Sequence, residues 1–446
     1  MDFLARQPLA FQVPAANVRV LRSPDEFYNT LLDNVRSAQR RIEFATLYMG
    51  VGPMEQKLID AITERAAAKP DLRLRFLLDY TRGTRVDAQG RSSATALLHL
   101  AEQGRCALYH TPRLRSVARQ LLRSPLNEIM GLQHMKLYVV DNKVIISGAN
   151  LQEEYFTQRV DRYVMIEDEQ LASFCADIIA TVSRHSLYLR ADGSITPSRY
   201  TKAHPAEDVK RHVRGMQRDL GRLVANYASE AKKKLFDLAA TDMAVVAPVL
   251  QMGYYGVRYD QVFSQELSQV LRSEHRIQLS TGYFNLSPIY QKMLLAHQGA
   301  VTVLCASLEA NGFLGARGAK GHIPYAYLHL LHGFQDAAAA CKKTNLDVRQ
   351  WRHEGWTFHA KGLHVFDALN RVVLATIGSS NFGLRSQELD LEFQLVMATN
   401  NSELQEAFNQ EAKALLEDST PVPSHEGAEK VKPWVKWISH QFGRYF

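Results

Sequence analysis

The chain has 446 residues, 46% of them hydrophobic and 22% charged, which is long for one ordinary domain and points to two compact units or an internal duplication. No stretch reaches the roughly 20 uninterrupted apolar residues of a spanning helix, and the opening MDFLARQPLAF, broken by Arg6 and Pro8, does not read as a signal peptide. A net charge of +7 favours anionic partners, while four scattered cysteines with no CxxC pair support neither a zinc site nor a disulfide framework and fit a reducing compartment.

In chain order, strands alternate with helical patterns, the mark of an α/β fold. FYNTLLDNVRSAQRRI, Phe27–Ile42, carries apolar residues at helical spacing and runs into RIEFATLYMG, a strand ending at Tyr48. A helix around Met54–Ala67 follows, then the strand LRLRFLLDY and a strand opening at His134. Ser194 to Met252 reads as a polar, basic, mostly helical connection whose charge run is a solvated face. The plan then repeats, with QELSQVLRSEHRI leading into RIQLSTGYFN, a helix at Ile289–Ala296, the strand VTVLCAS and later HAKGLHVF. The pairs FATLYMG/LSTGYFN and HMKLYVV/HAKGLHV recur in the same order at comparable spacing, which marks a duplication.

The repeated pair carries the chemistry. His134 and Lys136, followed by Asp141, fit HxKxxxxD, and His359 and Lys361 fit HxK at the start of the matching strand. Residues two apart on a strand face one side, so each His and its Lys project into the same space. A turn with glycine and asparagine follows each, SGAN ending at Asn150 and GSSN ending at Asn381. Two His, two Lys and two Asn converging from duplicated halves describe a phosphate-centred site. One imidazole can attack phosphorus while the other moves the proton, and the lysines neutralise the non-bridging oxygens. This logic needs no metal and no cofactor.

These motifs resemble the phospholipase D superfamily, with two departures: Phe366 stands where the second motif's Asp is due, Asp367 coming one place late, and SGAN replaces GSxN. The wider context is similar to one branch, the eukaryotic phosphatidylglycerophosphate synthases. SGANLQEEYFTQRVDRYV, TLYMGVGPMEQ, LLDYTRGTR, NGFLGARGAKGHIPYAY and IGSSNFGLRSQELDLE carry that resemblance, from about Phe27 to the C-terminal segment. It implies two pseudo-symmetric phospholipase-D-like halves, each a mixed β-sheet flanked by helices, with the active site at their interface. The repeat divides the chain into residues 1–195 as the first half and 196–430 as connecting helices and second half, with 431–446 read as a membrane-associating segment from its aromatic and basic pattern.

By the same resemblance, His134 attacks CDP-diacylglycerol to give a phosphatidyl-histidine, and His359 protonates CMP and then activates glycerol 3-phosphate. Lys136, Lys361, Asn150 and Asn381 hold phosphate oxygens. Asp161 and Glu392 orient the histidine of the opposite half, and Asp141 completes the catalytic set. Mitochondrial placement, at the inner membrane surface facing the matrix, also rests on the resemblance.

Glycerol 3-phosphate brings a dianion of its own. Arg82 and Arg85 in the RGTR turn, with Arg317 and Lys320 in the glycine-rich GFLGARGAKG stretch, are the candidates to bind it. In KPWVKWISHQFGRYF, Trp434, Trp437, Ile438 and Phe442 beside lysines suit an amphipathic helix in peripheral contact with an anionic membrane. A serine transferase would share the first step without the acceptor's phosphate pocket, and a phospholipase would use water. A nuclease would need aromatic stacking platforms along a basic groove, a pattern not evident here, so nucleic acid is not expected as a partner. A lipid-binding scaffold has no use for two imidazoles at one phosphate.

Overall fold

Ser23 starts the first helix: its hydroxyl accepts from the Glu26 amide, and Pro24 takes the first helical position, where no backbone N–H is needed. The helix spans Pro24–Ser37 and stops short of Ile42. The reason lies 100 residues downstream. The Asp141 carboxylate accepts from the amides of Gln39, Arg40 and Arg41 at 2.8, 2.7 and 3.1 Å, which ends the helical ladder and opens a strand at Arg41. The computed structural model describes residues 3–4, 7, 9–103, 105–115, 122, 126–231, 240–316 and 318–445.

The chain opens with β1 (Phe11–Pro14) and β2 (Val18–Leu21). The first half continues through β3 (Arg41–Ala45), β4 (Arg73–Asp79), β5 (Arg105–Tyr109), β6 (Leu137–Val140) and β7 (Lys143–Ser147). Then come a two-residue β8 (Arg159–Val160), β9 (Tyr163–Glu167), β10 (Leu187–Leu189) and β11 (Ile195–Pro197). A helix, Val209–Ala231, leads to the long β12 (Met243–Met252) and the short β13 (Val257–Arg258). The second half adds β14 (Arg276–Thr281), β15 (Val301–Ala306), β16 (Leu346–Trp351) and a two-residue β17 (Thr357–Phe358). It ends with β18 (Gly362–Phe366), β19 (Val372–Gly378), β20 (Glu392–Thr399) and β21 (Ser419–Pro421).

One sheet runs β11-β10-β5-β4-β3-β6-β7-β9-β2, the other β21-β16-β15-β14-β18-β19-β20-β12-β1. In each, three strands pair in parallel, β3-β4-β5 and β14-β15-β16, and the motif strand runs antiparallel beside them, β6 on β3 and β18 on β14. The antiparallel run then continues through β7-β9-β2 and β19-β20-β12. With β10 antiparallel on β5 and β21 antiparallel on β16, eight strands of one half have counterparts in order and direction, and the duplication read from the motifs is real.

Three expectations change. The Ser194–Met252 connection is helical only in part, because β12 is a ten-residue strand inside the second sheet. Its burial reads as continuous, which explains why an alternating pattern does not betray it. β3 ends at Ala45 rather than Tyr48, since the Thr46 carbonyl is taken by the side-chain Nε2 of Gln133. The boundary at 195/196 is crossed at both ends: β11 reaches Pro197, and β1 pairs with β12 of the other half.

The halves share a core. Val139, Ile146 and Val164 of the first sheet and Val246, Ile377 and Leu395 of the second belong to one buried cluster with the helix Glu169–Arg184. Each half has a further core of its own. Burial on both sides of the seam fixes the halves against each other, which a site built from both requires. Cys106, Cys175 and Cys305 are buried free thiols, and Cys341 is exposed.

Candidate active site

Both HxK pairs lie in the extended lead-in to a strand rather than within it: His134 and Lys136 precede β6, and His359 and Lys361 precede β18. Each lead-in crosses the seam. β8 and β17 pair in parallel, Val160 opposite Phe358, and the His359 amide donates to the Val160 carbonyl at 2.8 Å. On the other side Gln133 bridges Leu391 in parallel, and the His134 amide donates to the Leu391 carbonyl at 3.0 Å. One residue further along each register, Asp161 meets His359 and Glu392 meets His134.

The contacts follow from that register. Glu392 lies 3.1 Å from His134 Nδ1 through each carboxylate oxygen, and Asp161 Oδ2 lies 2.6 Å from His359 Nδ1. A carboxylate at Nδ1 draws the proton there and leaves Nε2 for chemistry. Burial first, and Lys136 second, keep His134 below the ordinary imidazole range against the opposing pull of Glu392. Burial and Lys361 do the same more strongly to His359. Burial disfavours the charge on Glu392, but His134, Lys136 and Ser379 outweigh it and the carboxyl titrates below its usual range. Asp161 is lowered likewise, with Lys361 and His359 outweighing burial.

Lys136 Nζ donates to the His134 carbonyl at 2.7 Å, and Lys361 Nζ to the His359 carbonyl at 2.8 Å while standing 3.6 Å from Asp161. Burial lowers the Lys136 ammonium to about 7, against the attraction of Glu392. The Asn150 and Asn381 side chains line the same cavity, and each has a buried carbonyl oxygen without a hydrogen-bond partner. Unsatisfied polar atoms are costly in a core and are expected where a ligand completes the set.

The departure SGAN has a steric explanation. A Cβ on Gly148 would stand 2.5 Å from Lys361 Nζ and 2.7 Å from Asp161 Oδ1. In the other half the corresponding residue, Ser379, donates its hydroxyl to Glu392, joined by Ser386 at 2.8 Å. One carboxylate is thus supported by a lysine and the other by hydroxyls.

Asp141, expected in the catalytic set, lies elsewhere. Its carboxylate is committed to the turn before β3, and its own φ of +52° lets the β6–β7 turn close. The late Asp367 instead closes its own β18–β19 turn, accepting from the Leu369 and Arg371 amides. The motif's aspartate is a turn residue in both halves, so one place of slippage leaves the imidazole and ammonium untouched.

The two histidines share one cavity of about 730 Å³. Arg82, Arg85 and Lys320 line it, and Arg317 lies outside the described residues. Several lining groups escape sequence reasoning. Arg159, two residues before Asp161, stacks its guanidinium 4.6 Å from the Tyr155 ring centre and pairs with Glu154 at 2.6 Å. Arg385 pairs with Asp390 at 3.0 Å. Tyr155 and Tyr283 set their rings edge-on to His359, centroids 5.2 and 5.4 Å away. Glu128 reaches Arg85 at 3.0 Å, Lys320 at 3.5 Å and Arg82 at 3.8 Å. A tyrosine or arginine without motif spacing gives no signal in one sequence; only the seam brings these groups together.

The C-terminal helix Pro433–Phe442 buries Val435 and Ser439 and docks on the helix Ile323–Ala340. Trp434, Trp437 and Phe442 are 43, 61 and 46% exposed, while Ile438 is half-buried. Among the described residues, no helix is long and apolar enough to cross a bilayer.

The family described as "Cardiolipin synthase, PLD-like domain" matches residues 31–182. The human mitochondrial CDP-diacylglycerol–glycerol-3-phosphate 3-phosphatidyltransferase is 35% identical over 98% of this chain and 84% of its own length. The Schizosaccharomyces pombe protein of the same activity is 32% identical, over 96% of this chain and 94% of its own. The crystal structure of phosphatidylserine synthase from Haemophilus influenzae Rd KW20 superimposes with a TM-score of 0.71 at 20% identity, covering 99% of this chain and 96% of that one, a likeness of fold. At that identity and coverage, and with the duplicated motifs meeting across the seam, the chain belongs to the phospholipase-D-like CDP-diacylglycerol–glycerol-3-phosphate 3-phosphatidyltransferase family.

Proposed function

We infer that this chain transfers the phosphatidyl group of CDP-diacylglycerol to glycerol 3-phosphate, giving phosphatidylglycerophosphate and CMP. The observation that carries the reading is one cavity lined by two imidazoles, each held at Nδ1 by a carboxylate of the opposite half, beside a separate group of cations. The activity of the human and fission-yeast relatives supports the same acceptor.

His134 Nε2 attacks the diacylglycerol-linked phosphorus, and the bond from that phosphorus to the bridging oxygen of CMP breaks. His359 supplies the proton to the departing CMP. The negative diphosphate of the donor is the field that favours protonation of an imidazole otherwise held neutral by burial. His359, now neutral, takes the proton from the primary hydroxyl of glycerol 3-phosphate, whose oxygen displaces His134 and restores the starting enzyme. Lys136 and Lys361, with Asn150 and Asn381, offset the charge on the non-bridging oxygens. Arg82, Arg85 and Lys320 receive the acceptor's own phosphate.

The test is an acceptor panel in mixed micelles with CDP-diacylglycerol, following CMP and lipid products with glycerol 3-phosphate, serine, glycerol or water. Phosphatidylglycerophosphate formed only with glycerol 3-phosphate is the expected result. Product with serine alone, or phosphatidic acid whatever the acceptor, would overturn it.

We place the protein at a membrane surface, in the mitochondrion as its animal relatives are, and specifically on the inner membrane facing the matrix. Trp434, Trp437 and Phe442 project from a helix that also exposes Lys432 and Lys436, the combination that binds anionic interfaces. Because Val435 anchors this helix in the second core, deleting it confounds binding with folding. Replacing the three aromatics together with Ser should instead lower partition into anionic liposomes by about tenfold or more in flotation. Unchanged flotation would remove this helix from the membrane contact.

A further inference from the structure

Glu128 is a carboxylate in a place that otherwise gathers cations. It sits on the turn Leu126–Met130, largely buried, and lines the same cavity as both histidines. Arg82 and Arg85 share its Oε1 at 3.8 and 3.0 Å, and Lys320 stands 3.5 Å from Oε2. The guanidinium of Arg82 is also held over the Tyr48 ring, 4.2 Å from its centre, so the cluster is built rather than incidental.

We propose that Glu128 stands in for the acceptor's phosphate: it holds Arg82, Arg85 and Lys320 together in the empty site, and glycerol 3-phosphate binds by displacing its carboxylate. This rests on the transferase reading above. Three cations in one partly buried cluster repel one another, and some anion must hold them. Burial, with Arg85 and Arg82, already keeps Lys320 below the ordinary lysine range while Glu128 pulls the other way. The carboxylate satisfies them unevenly, one close contact and two loose ones. A phosphate monoester offers three terminal oxygens and nearly twice the charge, so each cation gains an oxygen of its own.

The exchange also selects the acceptor. Glycerol and water bring no anion, and the single carboxylate of serine is no stronger than the one it would replace, whereas the phosphate of glycerol 3-phosphate, with nearly twice the charge, can displace it. The backbone need not move, because the Glu128 carbonyl is fixed by Arg385 Nη2 at 2.8 Å and only the side chain has to swing.

The test compares Glu128→Gln, Glu128→Asp and Arg85→Ala in the full chain. Glu128→Gln should lower KM for glycerol 3-phosphate about 3- to 10-fold and tighten competitive inhibition by inorganic phosphate in parallel, with no such gain for glycerol as acceptor. Glu128→Asp, which keeps the charge, should leave KM near that of the unaltered protein. Arg85→Ala should raise it. An unchanged KM in Glu128→Gln would overturn the inference, as would a raised KM restored in Glu128→Asp, which marks Glu128 as an anchor for the cations. If Arg85→Ala raises KM while Glu128→Gln does not lower it, the acceptor pocket stands and only the role of Glu128 fails. If glycerol 3-phosphate is no acceptor for the unaltered protein, the transferase reading itself fails.

Discussion

Replacing His134 with Ala should abolish CMP release from CDP-diacylglycerol, and Glu392→Gln should lower kcat about 10²–10⁴-fold while leaving the protein folded. The carboxylate does two things for the imidazole. It fixes the Nδ1 proton, so that Nε2 carries the lone pair, and it stabilises positive charge on the ring as the phosphorus bond forms. Glutamine keeps the shape and removes the second effect. The pH profile separates this from a structural role. Glu392 raises the His134 pKa against burial, so its loss should move the acid limb of kcat/KM to lower pH as kcat falls. Asp161→Asn should lower kcat similarly and, because His359 must carry a proton to release CMP, should move the alkaline limb of kcat/KM to lower pH. Full activity in Glu392→Gln, or an unmoved acid limb, would break the cross-seam assignment.

The second large effect concerns what holds the seam. Arg162, the residue after Asp161, is 1% exposed and donates through Nε and Nη2 to Glu411 at 2.8 and 2.7 Å. Its Nη1 donates to the Thr376 carbonyl at 2.7 Å, and His364 sits within 3.0 Å of Glu411. Gly362 makes room for it: φ is +148°, and a Cβ there would fall 1.8 Å from Arg162 Nη1. Arg162→Met leaves Glu411 charged, buried and without its guanidinium. The expected loss is about 3–5 kcal/mol, read from the shift in chemical-denaturation midpoint. Arg162→Met with Glu411→Leu should recover much of it, because the unpaired charge is gone. A single substitution that costs under about 1 kcal/mol would show that the pair does not hold the halves.

Much of the site was legible because chemistry restricts residue type at fixed spacing. A nucleophilic imidazole and its neighbouring ammonium need an HxK pair, so two such pairs announce themselves, whereas Asp161 and Glu392 followed only from the resemblance to the family. The motif's aspartate misled for the same reason. Asp141 stands at the expected spacing of the first motif, though Asp367 slips one place in the second, yet Asp141 spends its carboxylate on the amides of residues 39–41. Spacing reports that a residue is required, not which neighbour requires it.

The α/β class, the duplication and both HxK pairs were legible in the residues alone, since all of these are local patterns of period or residue type, whereas the last helix turns Val435 of its expected outer face into the core. Long-range packing is what takes β1 into the other half's sheet, makes β12 a strand, and aligns Val160 with Phe358 and Gln133 with Leu391 across the seam. It alone gathered Arg159, Arg385, Tyr155, Tyr283 and Glu128 around one cavity. Those are contacts between residues far apart in the chain, set by strand register and shared burial, and neither leaves a periodic trace in the residues that make them.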